Sequence, residues 1–259
     1  MKKNIVALLT LLAILLVTSY FGCSQQTNFD VQQKFHDAQK AFDTAKTPDD
    51  YLKVAGMYQN LLDHGTMSGA VLYNQGNAYM KAGQRGRAIA AYRQAEQFLP
   101  TDPYLEANLS YALGDNAQKP HRRPIIEYLM FWQRWISYGD KFRITGSLSV
   151  FTFVLAIVAL FFQRRLFTRL AICTAILTAL FALSAGYDWY QYDYIEHGVV
   201  VKEQTVARKG NSESYEPAFT EPISEGVEFD VVARRGDWVL IRLPGNQEGW
   251  VKQDSVVTY

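Results

Sequence analysis

The chain has 259 residues but only two cysteines and four histidines, and its formal net charge is only +1. Because Cys173 lies inside an apolar run, a structural disulfide with Cys23 is not expected. The histidines are spread over three parts of the chain with no second ligand at helical or hairpin spacing, which argues against a metal site. No Gly-Lys-Ser/Thr sequence follows the glycines at positions 76, 83 and 86, so nucleotide binding is not predicted. We therefore expect no enzymatic activity, no cofactor and no nucleic-acid partner.

What the chain does have is apolar residues concentrated in uncharged runs. The first run, residues 5–22, follows Met1-Lys2-Lys3, and this order of a basic and an apolar region predicts an export signal over residues 1–23. Three outcomes are open for the signal: lipidation of Cys23, ordinary cleavage nearby, or retention as an anchor. Each of them places the following segment outside the cytoplasm.

Two further runs, residues 144–162 and 170–187, carry no charge. Each is about long enough to cross roughly 30 Å of hydrocarbon, so residues 144–187 are predicted to form a transmembrane helical hairpin. The short connection contains Arg164, Arg165 and Arg169, which favours a cytoplasmic turn with both flanks outside. Asp188 and Asp193 follow the second run in an aromatic, interfacial sequence, and we assign no catalysis to them.

The basic residues before the first span favour the opposite orientation. They include Arg122, Arg123, Arg134, Lys141 and Arg143, and they outnumber the arginines of the turn. The signal segment acts first, and the flank after the second span is acidic, so we keep the exported orientation. The segment 117–143 combines a Pro-rich basic linker with aromatic residues at helical spacing. It predicts a helix at the membrane interface, or alternatively one that packs on the preceding helices.

Residues 72–100 read LYNQGNAYMKAGQRGRAIAAYRQAEQFLP, a pattern typical of two packed antiparallel helices. Small residues allow the two backbones to approach, aromatic residues fill the space beside them, and a proline ends the second helix. Gly83 is expected to cap the first helix. The pattern resembles the tetratricopeptide repeat of about 34 residues. The residues at its signature positions are Gly76, Tyr79, Ala88, Tyr92, Ala95 and Pro100.

One helix pair cannot bury its own apolar face, so related patterns are expected on both sides. Downstream, residues 103–113 predict a final solvating helix. The whole array is assigned to residues 29–116, with two full repeats and a cap. Upstream, the corresponding residues are Ala38 and Ala41 in a first helix and Val54, Tyr58 and Leu61 in a second.

Polar residues on the first helix of the repeat suggest a peptide-binding groove. In tetratricopeptide proteins that clamp a partner's C-terminal carboxylate, asparagines and basic residues on this face supply the hydrogen bonds. The resemblance therefore implies binding roles for Asn74, Asn77, Lys81 and Asn108, the last of which follows Asn74 by one repeat length. The alternative is that these side chains merely face solvent.

From residue 199 onward, apolar and polar residues alternate between turn sequences, which predicts a small all-β barrel over residues 199–259. The end of the chain, EGVEFDVVARRGDWVLIRLPGNQEGWVKQDSVV, resembles a bacterial SH3 domain. The resemblance implies that Trp250 belongs to the fold and that Trp238 lies near the peptide-facing side. An extended acidic loop over residues 209–225 departs from the family, so no ligand is carried over. The predicted strands are 199–201, 205–208, 227–233, 238–243 and 249–252.

The order of these parts resembles the BatE proteins of the Bacteroides aerotolerance cluster. It implies a multidomain protein of the bacterial inner membrane with both binding modules in the periplasm. Its partners would be von Willebrand factor A-domain membrane proteins and, indirectly, a MoxR-type ATPase, in envelope stress or oxygen tolerance. We expect a non-enzymatic scaffold. The alternative is a cell-wall-targeted subunit whose β-domain binds peptidoglycan for a lytic or synthetic enzyme.

Overall fold

The computed structural model describes residues 28–114 and 131–259. The predictions for the signal over residues 1–23, for lipidation of Cys23 and for the Pro-rich linker at 120–124 fall outside these residues. Within these residues, seven α-helices precede a five-stranded antiparallel sheet. Residues 136–191 form one compact unit, and residues 29–114, 131–135 and 192–259 form another.

Five helices open the larger unit, and local sequence explains where they begin. The Thr47 side chain accepts a hydrogen bond from the backbone N–H of Asp50, whose carboxylate accepts one from the backbone N–H of Thr47. Asp102 accepts from the backbone N–H groups of Tyr104 and Leu105. Each of these helices has proline in its first turn, where no N–H is needed. The helices are α1 (Asn28–Thr44), α2 (Pro48–Asp63), α3 (Gly69–Lys81), α4 (Arg85–Glu96) and α5 (Pro103–Leu113).

The end of α3 confirms the predicted role of Gly83. Gly83 adopts φ +76°, a left-handed conformation that glycine adopts without steric cost. Its backbone N–H donates to the Met80 carbonyl at 3.1 Å, and the Gln84 N–H donates to the Tyr79 carbonyl at 2.9 Å. This pair of hydrogen bonds closes the helix and turns the chain into α4.

The packing of α3 against α4 depends on Gly76 and Tyr92. A Cβ atom at Gly76 would lie 2.4 Å from the Tyr92 ring, so the ring packs directly on the α3 backbone. Tyr92 is only 1% exposed. The residues predicted upstream behave in the same way: Ala38, Val54, Tyr58 and Leu61 are buried in one cluster with α3 residues, and Ala41 is half-buried against it.

The smaller unit is a helical hairpin of α6 (Tyr138–Phe162) and α7 (Arg165–Trp189), followed by a π-helical turn, Tyr190–Tyr194. Both helices are long and apolar enough to cross a membrane, as predicted. Ser137 caps the N-terminus of α6, and its hydroxyl accepts a hydrogen bond from the Asp140 N–H. Among the described residues of the 117–143 segment, Phe131–Arg134 form a single 3-10 turn and residues 138–143 belong to α6. The prediction of a separate interfacial helix that ends at residue 143 was therefore wrong for these residues.

The sheet that follows has the order β4-β3-β2-β1-β5, with every neighbouring pair antiparallel. A buried cluster on one side includes Val200, Phe229, Val239, Ile241 and Val251, in agreement with the predicted alternation. The strands are β1 (His197–Val200), β2 (Glu228–Arg235), β3 (Trp238–Leu243), β4 (Gln247–Lys252) and β5 (Val256–Thr258).

Two strand predictions differ from the structure. Residues 205–208 form only isolated bridges, from Thr205 to Ile223 and from Arg208 to Pro217 and Trp250. The long connection between β1 and β2 folds back on itself there, so its backbone groups bond within the connection and at one point of β4. The last strand, β5, was missed because three residues are too few to show an alternating pattern, yet it pairs with β1 along its whole length.

The sheet and the helices of the larger unit share a buried junction. Val199 of β1 is fully buried in a cluster with residues of α4 and α5. A Cβ atom at Gly86 would lie 2.5 Å from the Val200 carbonyl oxygen, so α4 approaches the β1 backbone more closely than a side chain would allow. The Glu225 carboxylate accepts a hydrogen bond of 2.8 Å from the Gly86 N–H, at the positive end of the α4 dipole.

A charged contact completes this junction at the other end of α4. The Arg93 guanidinium donates two hydrogen bonds to the Glu228 carboxylate, at 2.6 and 3.0 Å, and a third to Glu96 at 2.9 Å. Burial alone would lower the pKa of Arg93, but the two carboxylates outweigh it and raise that pKa. The β-domain is thus held on α4 by a bidentate ion pair as well as by apolar packing.

Candidate partner-binding site

Helices α3 and α5 bring two of the predicted groove residues into one hydrogen-bonded cluster. The Asn108 Nδ2 group donates to the Tyr73 hydroxyl at 3.0 Å and to Asn77 Oδ1 at 2.9 Å. The Tyr92 hydroxyl donates to the same Asn77 oxygen at 2.7 Å. Burial raises the pKa of Tyr92, which keeps this hydroxyl protonated and able to donate. We call Tyr73, Asn77, Tyr92 and Asn108 the amide cluster.

The hydrogen bonds within the amide cluster determine which of its donors and acceptors are still available to a ligand. Asn77 Oδ1 accepts two hydrogen bonds from inside the protein, so its Nδ2 group is turned to the other side as a donor. Asn108 uses its Nδ2 group internally and keeps its Oδ1 as an acceptor. The Tyr73 oxygen accepts from Asn108 and keeps its own O–H to donate. Tyr73, Asn77 and Asn108 are all half-buried rather than enclosed, so a bound chain can reach them.

The other two predicted groove residues do not join the amide cluster. Asn74 is half-buried on the same helix, and Lys81 is exposed in its last turn. Lys81 is the one basic residue in that turn. Contacts of Asn74 and Lys81 with a bound partner, at the border of the groove, therefore remain a prediction.

Sequence reasoning missed two tyrosines on α5. Tyr104 is 74% exposed and Tyr111 is 80% exposed. They stand four residues before and three residues after Asn108, so the three side chains share one face of the helix. In PYLEANLSYAL, the spacing of Tyr104, Asn108 and Tyr111 could have indicated that they share a face. The predicted solvating helix is therefore aromatic, and not simply polar, on this face.

The α5 helix that carries these residues is tied to the rest of the array by Arg85. Its Nε and Nη2 atoms donate to the carbonyl oxygens of Ala112 and Leu113, each at 2.5 Å. These are carbonyls of the last helical turn, which lack partners within the helix. Arg87, two residues further along α4, is exposed, and its guanidinium lies 6.0 Å from the centre of the Tyr79 ring.

Trp238 lies half-buried at the start of β3 and lines a groove of about 810 Å³. The acidic loop reaches the groove through Glu213, which forms an ion pair with Lys252. A hydrogen bond from Lys252 lowers the pKa of Glu213. On the same wall, Asp254 pairs with Lys202 at 2.6 Å. The groove therefore combines an indole with charged and amide side chains.

Two polar residues to which the sequence analysis assigned no role have close partners. His197 Nδ1 lies 2.7 Å from Asp230 Oδ1. In the hairpin, the Lys141 ammonium donates to the Asp188 carboxylate at 2.5 Å, and both side chains are almost fully buried. Among residues 28–114 and 131–259, no group of three or more His, Cys, Asp and Glu is placed to hold a metal ion.

Comparison of the chain with family models, with curated proteins and with solved structures found no match. The functional proposal therefore rests on the geometry of the two grooves and on the resemblances of sequence given above.

Proposed function

We propose that this chain is a non-enzymatic, membrane-anchored scaffold that binds protein partners through its helical repeats and its β-domain. Helices α1 to α5 are assigned as tetratricopeptide repeats, and the β-domain as an SH3-like module of the bacterial type. The hairpin of α6 and α7 anchors the protein in the bacterial inner membrane, with the other parts in the periplasm. The partners are von Willebrand factor A-domain membrane proteins, linked to a MoxR-type ATPase in an envelope stress or aerotolerance complex.

The repeat assignment is supported by the contacts of the helix pair. The Tyr92 ring fills the space over Gly76, and Gly83 ends α3 in the left-handed conformation. These are the physical roles that the repeat pattern requires of its small and aromatic positions. The β-domain assignment is supported by five antiparallel strands and by a 3-10 turn, Gln253–Ser255, before the last strand.

The observation that carries the binding proposal is the orientation of Asn77. Its oxygen is engaged by Tyr92 and Asn108, which leaves a fixed amide donor on an accessible face. A donor held in advance loses little conformational entropy when a partner binds. Lys81 and Asn74 border the same face and suit a partner's terminal carboxylate.

Replacing Asn77 by aspartate tests this function with little change of shape. The aspartate keeps an oxygen acceptor for Tyr92 and Asn108 but loses the outward donor and adds a negative charge. We expect capture of von Willebrand factor A-domain proteins to fall roughly tenfold, because losing a hydrogen bond to a charged carboxylate costs on the order of 1.4 kcal/mol or more. The measurement is a crosslinked pull-down of the intact protein from membranes, with the captured proteins quantified by mass spectrometry.

Asn60→Asp is the matched control, because it adds the same charge at an exposed position of α2. Capture by this variant should equal that of the original protein. A triple variant, Asn74→Ala, Lys81→Ala and Asn108→Ala, should lose capture as well. Unchanged capture by both groove variants, with α3 to α5 still folded, would refute the role of this groove.

A second function, targeting of peptidoglycan for a cell-wall enzyme, is favoured by the Trp238 groove. An indole beside carboxylate and amide side chains can stack on a sugar ring and bond its hydroxyl groups. If this function holds, the intact protein should co-sediment with purified peptidoglycan, and Trp238→Ala should reduce the bound fraction at least about fivefold. If the protein sediments no more than a control protein without affinity for the cell wall, the peptidoglycan function is rejected and only the scaffold function remains.

A further inference from the structure

We propose that the face formed by α3 and α5 binds a proline-rich segment of a partner in the polyproline II conformation. This inference rests on the proposed function, in which that face binds a partner, and adds the chemical class of the ligand. The residues that carry it are Tyr104 and Tyr111 on α5, together with the donors of the amide cluster, Asn77 and Tyr73.

The two tyrosines have the spacing that a polyproline II helix needs. They are seven residues apart on one face of α5, and at about 1.5 Å per residue their Cα atoms are separated by about 10.5 Å along the helix axis. A polyproline II helix repeats every three residues at about 3.1 Å per residue, so side chains at i and i+3 share one face about 9.3 Å apart. In a β-strand, side chains on the same face lie about 6.7 or 13.4 Å apart, which fits the tyrosines less well.

The tyrosines are open to a ligand over most of their surface. At 74% and 80% exposure, both rings can stack on a pyrrolidine ring, which is compact and apolar and fixes the backbone φ angle. Binding such a segment orders few rotatable bonds, since proline has lost most of its freedom beforehand. The two tyrosine rings thus provide the aromatic surface on which the proline rings of a ligand can pack.

The hydrogen-bonding groups of the amide cluster complement the same ligand. A polyproline II segment has no internal hydrogen bonds, and each proline presents a carbonyl oxygen without a backbone N–H. The Asn77 Nδ2 group and the Tyr73 O–H are the donors that these internal bonds do not use. Donors on α3, next to the two aromatic rings of α5, therefore match a backbone made of acceptors.

The face is also held rigid, which favours an ordered ligand of fixed shape. Asp102 caps the first turn of α5 through two backbone N–H groups at 2.9 Å. Arg85 bonds two carbonyls of the last turn. With both ends held, Tyr104 and Tyr111 keep their separation before a ligand binds.

The test uses the full chain in lipid nanodiscs and fluorescein-labelled decaproline, with a Gly-Ser decapeptide as the comparison probe. We expect decaproline to raise the fluorescence anisotropy saturably and the Gly-Ser peptide not to. Tyr104→Ala and Tyr111→Ala should each weaken decaproline binding roughly tenfold. Tyr104→Phe should bind within about twofold of the original chain, because phenylalanine keeps the stacking ring.

Trp238→Ala separates this face from the aromatic groove of the β-domain and should leave decaproline binding unchanged. Loss of binding in Trp238→Ala but not in the tyrosine variants would overturn the proposal, as would equal binding of both peptides. Absence of decaproline binding while Asn77→Asp still abolishes partner capture would also overturn it, yet keep the proposed function. Conversely, tyrosine-dependent decaproline binding stands even if partner capture does not depend on Asn77.

Discussion

Replacing Lys141 by methionine is expected to lower the free energy of unfolding of the α6–α7 hairpin by about 3–5 kcal/mol. The Lys141 side chain is 1% exposed and donates to Asp188 at 2.5 Å. The variant removes the ammonium that faces a buried carboxylate. The free energy lost with this ion pair is larger than the free energy gained from packing of the methionine side chain. The measurement is reversible unfolding in mixed micelles, followed by the distance between spin labels on cysteines introduced at the exposed positions Phe153 and Ile176, in a Cys23→Ser, Cys173→Ser background.

The double variant Lys141→Met, Asp188→Leu identifies the cause. Replacing both partners by apolar residues removes the charges together, and we expect it to recover most of the loss. Arg143→Met is the matched control, because Arg143 pairs with Asp140 on the exposed surface and such pairs contribute only up to about 1 kcal/mol. If Lys141→Met unfolds like Arg143→Met, the ion pair does not hold the hairpin together.

Replacing Tyr92 by alanine is expected to destabilise the α3–α4 pair by about 3–5 kcal/mol. The side chain is 1% exposed, its ring packs on the Gly76 backbone, and its hydroxyl bonds Asn77. Truncation leaves a cavity as large as the ring and removes that hydrogen bond. The measurement is hydrogen exchange of the α3 and α4 amides in the full chain as a function of denaturant.

Three companion variants separate the contributions at this position. Tyr92→Phe keeps the ring and should cost only about 1 kcal/mol for the lost hydrogen bond. Gly76→Ala should destabilise the original chain, because the new methyl group would meet the ring, but should stabilise Tyr92→Ala by up to about 1 kcal/mol through helix propensity. Tyr104→Ala, at an exposed position, should change stability by less than about 0.5 kcal/mol. A Gly76→Ala effect of the same sign in both backgrounds would contradict this packing.

The predictions that succeeded concern features set by neighbouring residues. Gly83 ends α3 because only the local backbone conformation matters there. The alternation over β3 predicted its bounds, and the apolar runs predicted the spans of α6 and α7. The strand predicted at 205–208 failed because its backbone partners lie in a long connection and at one point of β4, and no local pattern specifies them.

The candidate groove was predicted only in part. The position of Asn77 on the first helix of the repeat and the repeat spacing of Asn108 indicated residues of one groove, but they could not show that the two bond each other and two tyrosines. That arrangement depends on how α5 packs beside α3. The same packing leaves Tyr104 and Tyr111 exposed, which the helical period alone does not distinguish from burial.

By itself, the sequence determined the type of most helices and strands and the limits of a few, since periodicity, capping residues and glycine conformation act over a few neighbouring residues. Only the tertiary structure decided the contacts between distant segments. Arg93 and Glu228 are 135 residues apart, Gly86 and Glu225 are 139 apart, and Lys141 and Asp188 are 47 apart. A single charged residue or glycine shows no sequence periodicity that would indicate its distant partner. The partner depends on which surfaces the packing of the apolar cores brings together.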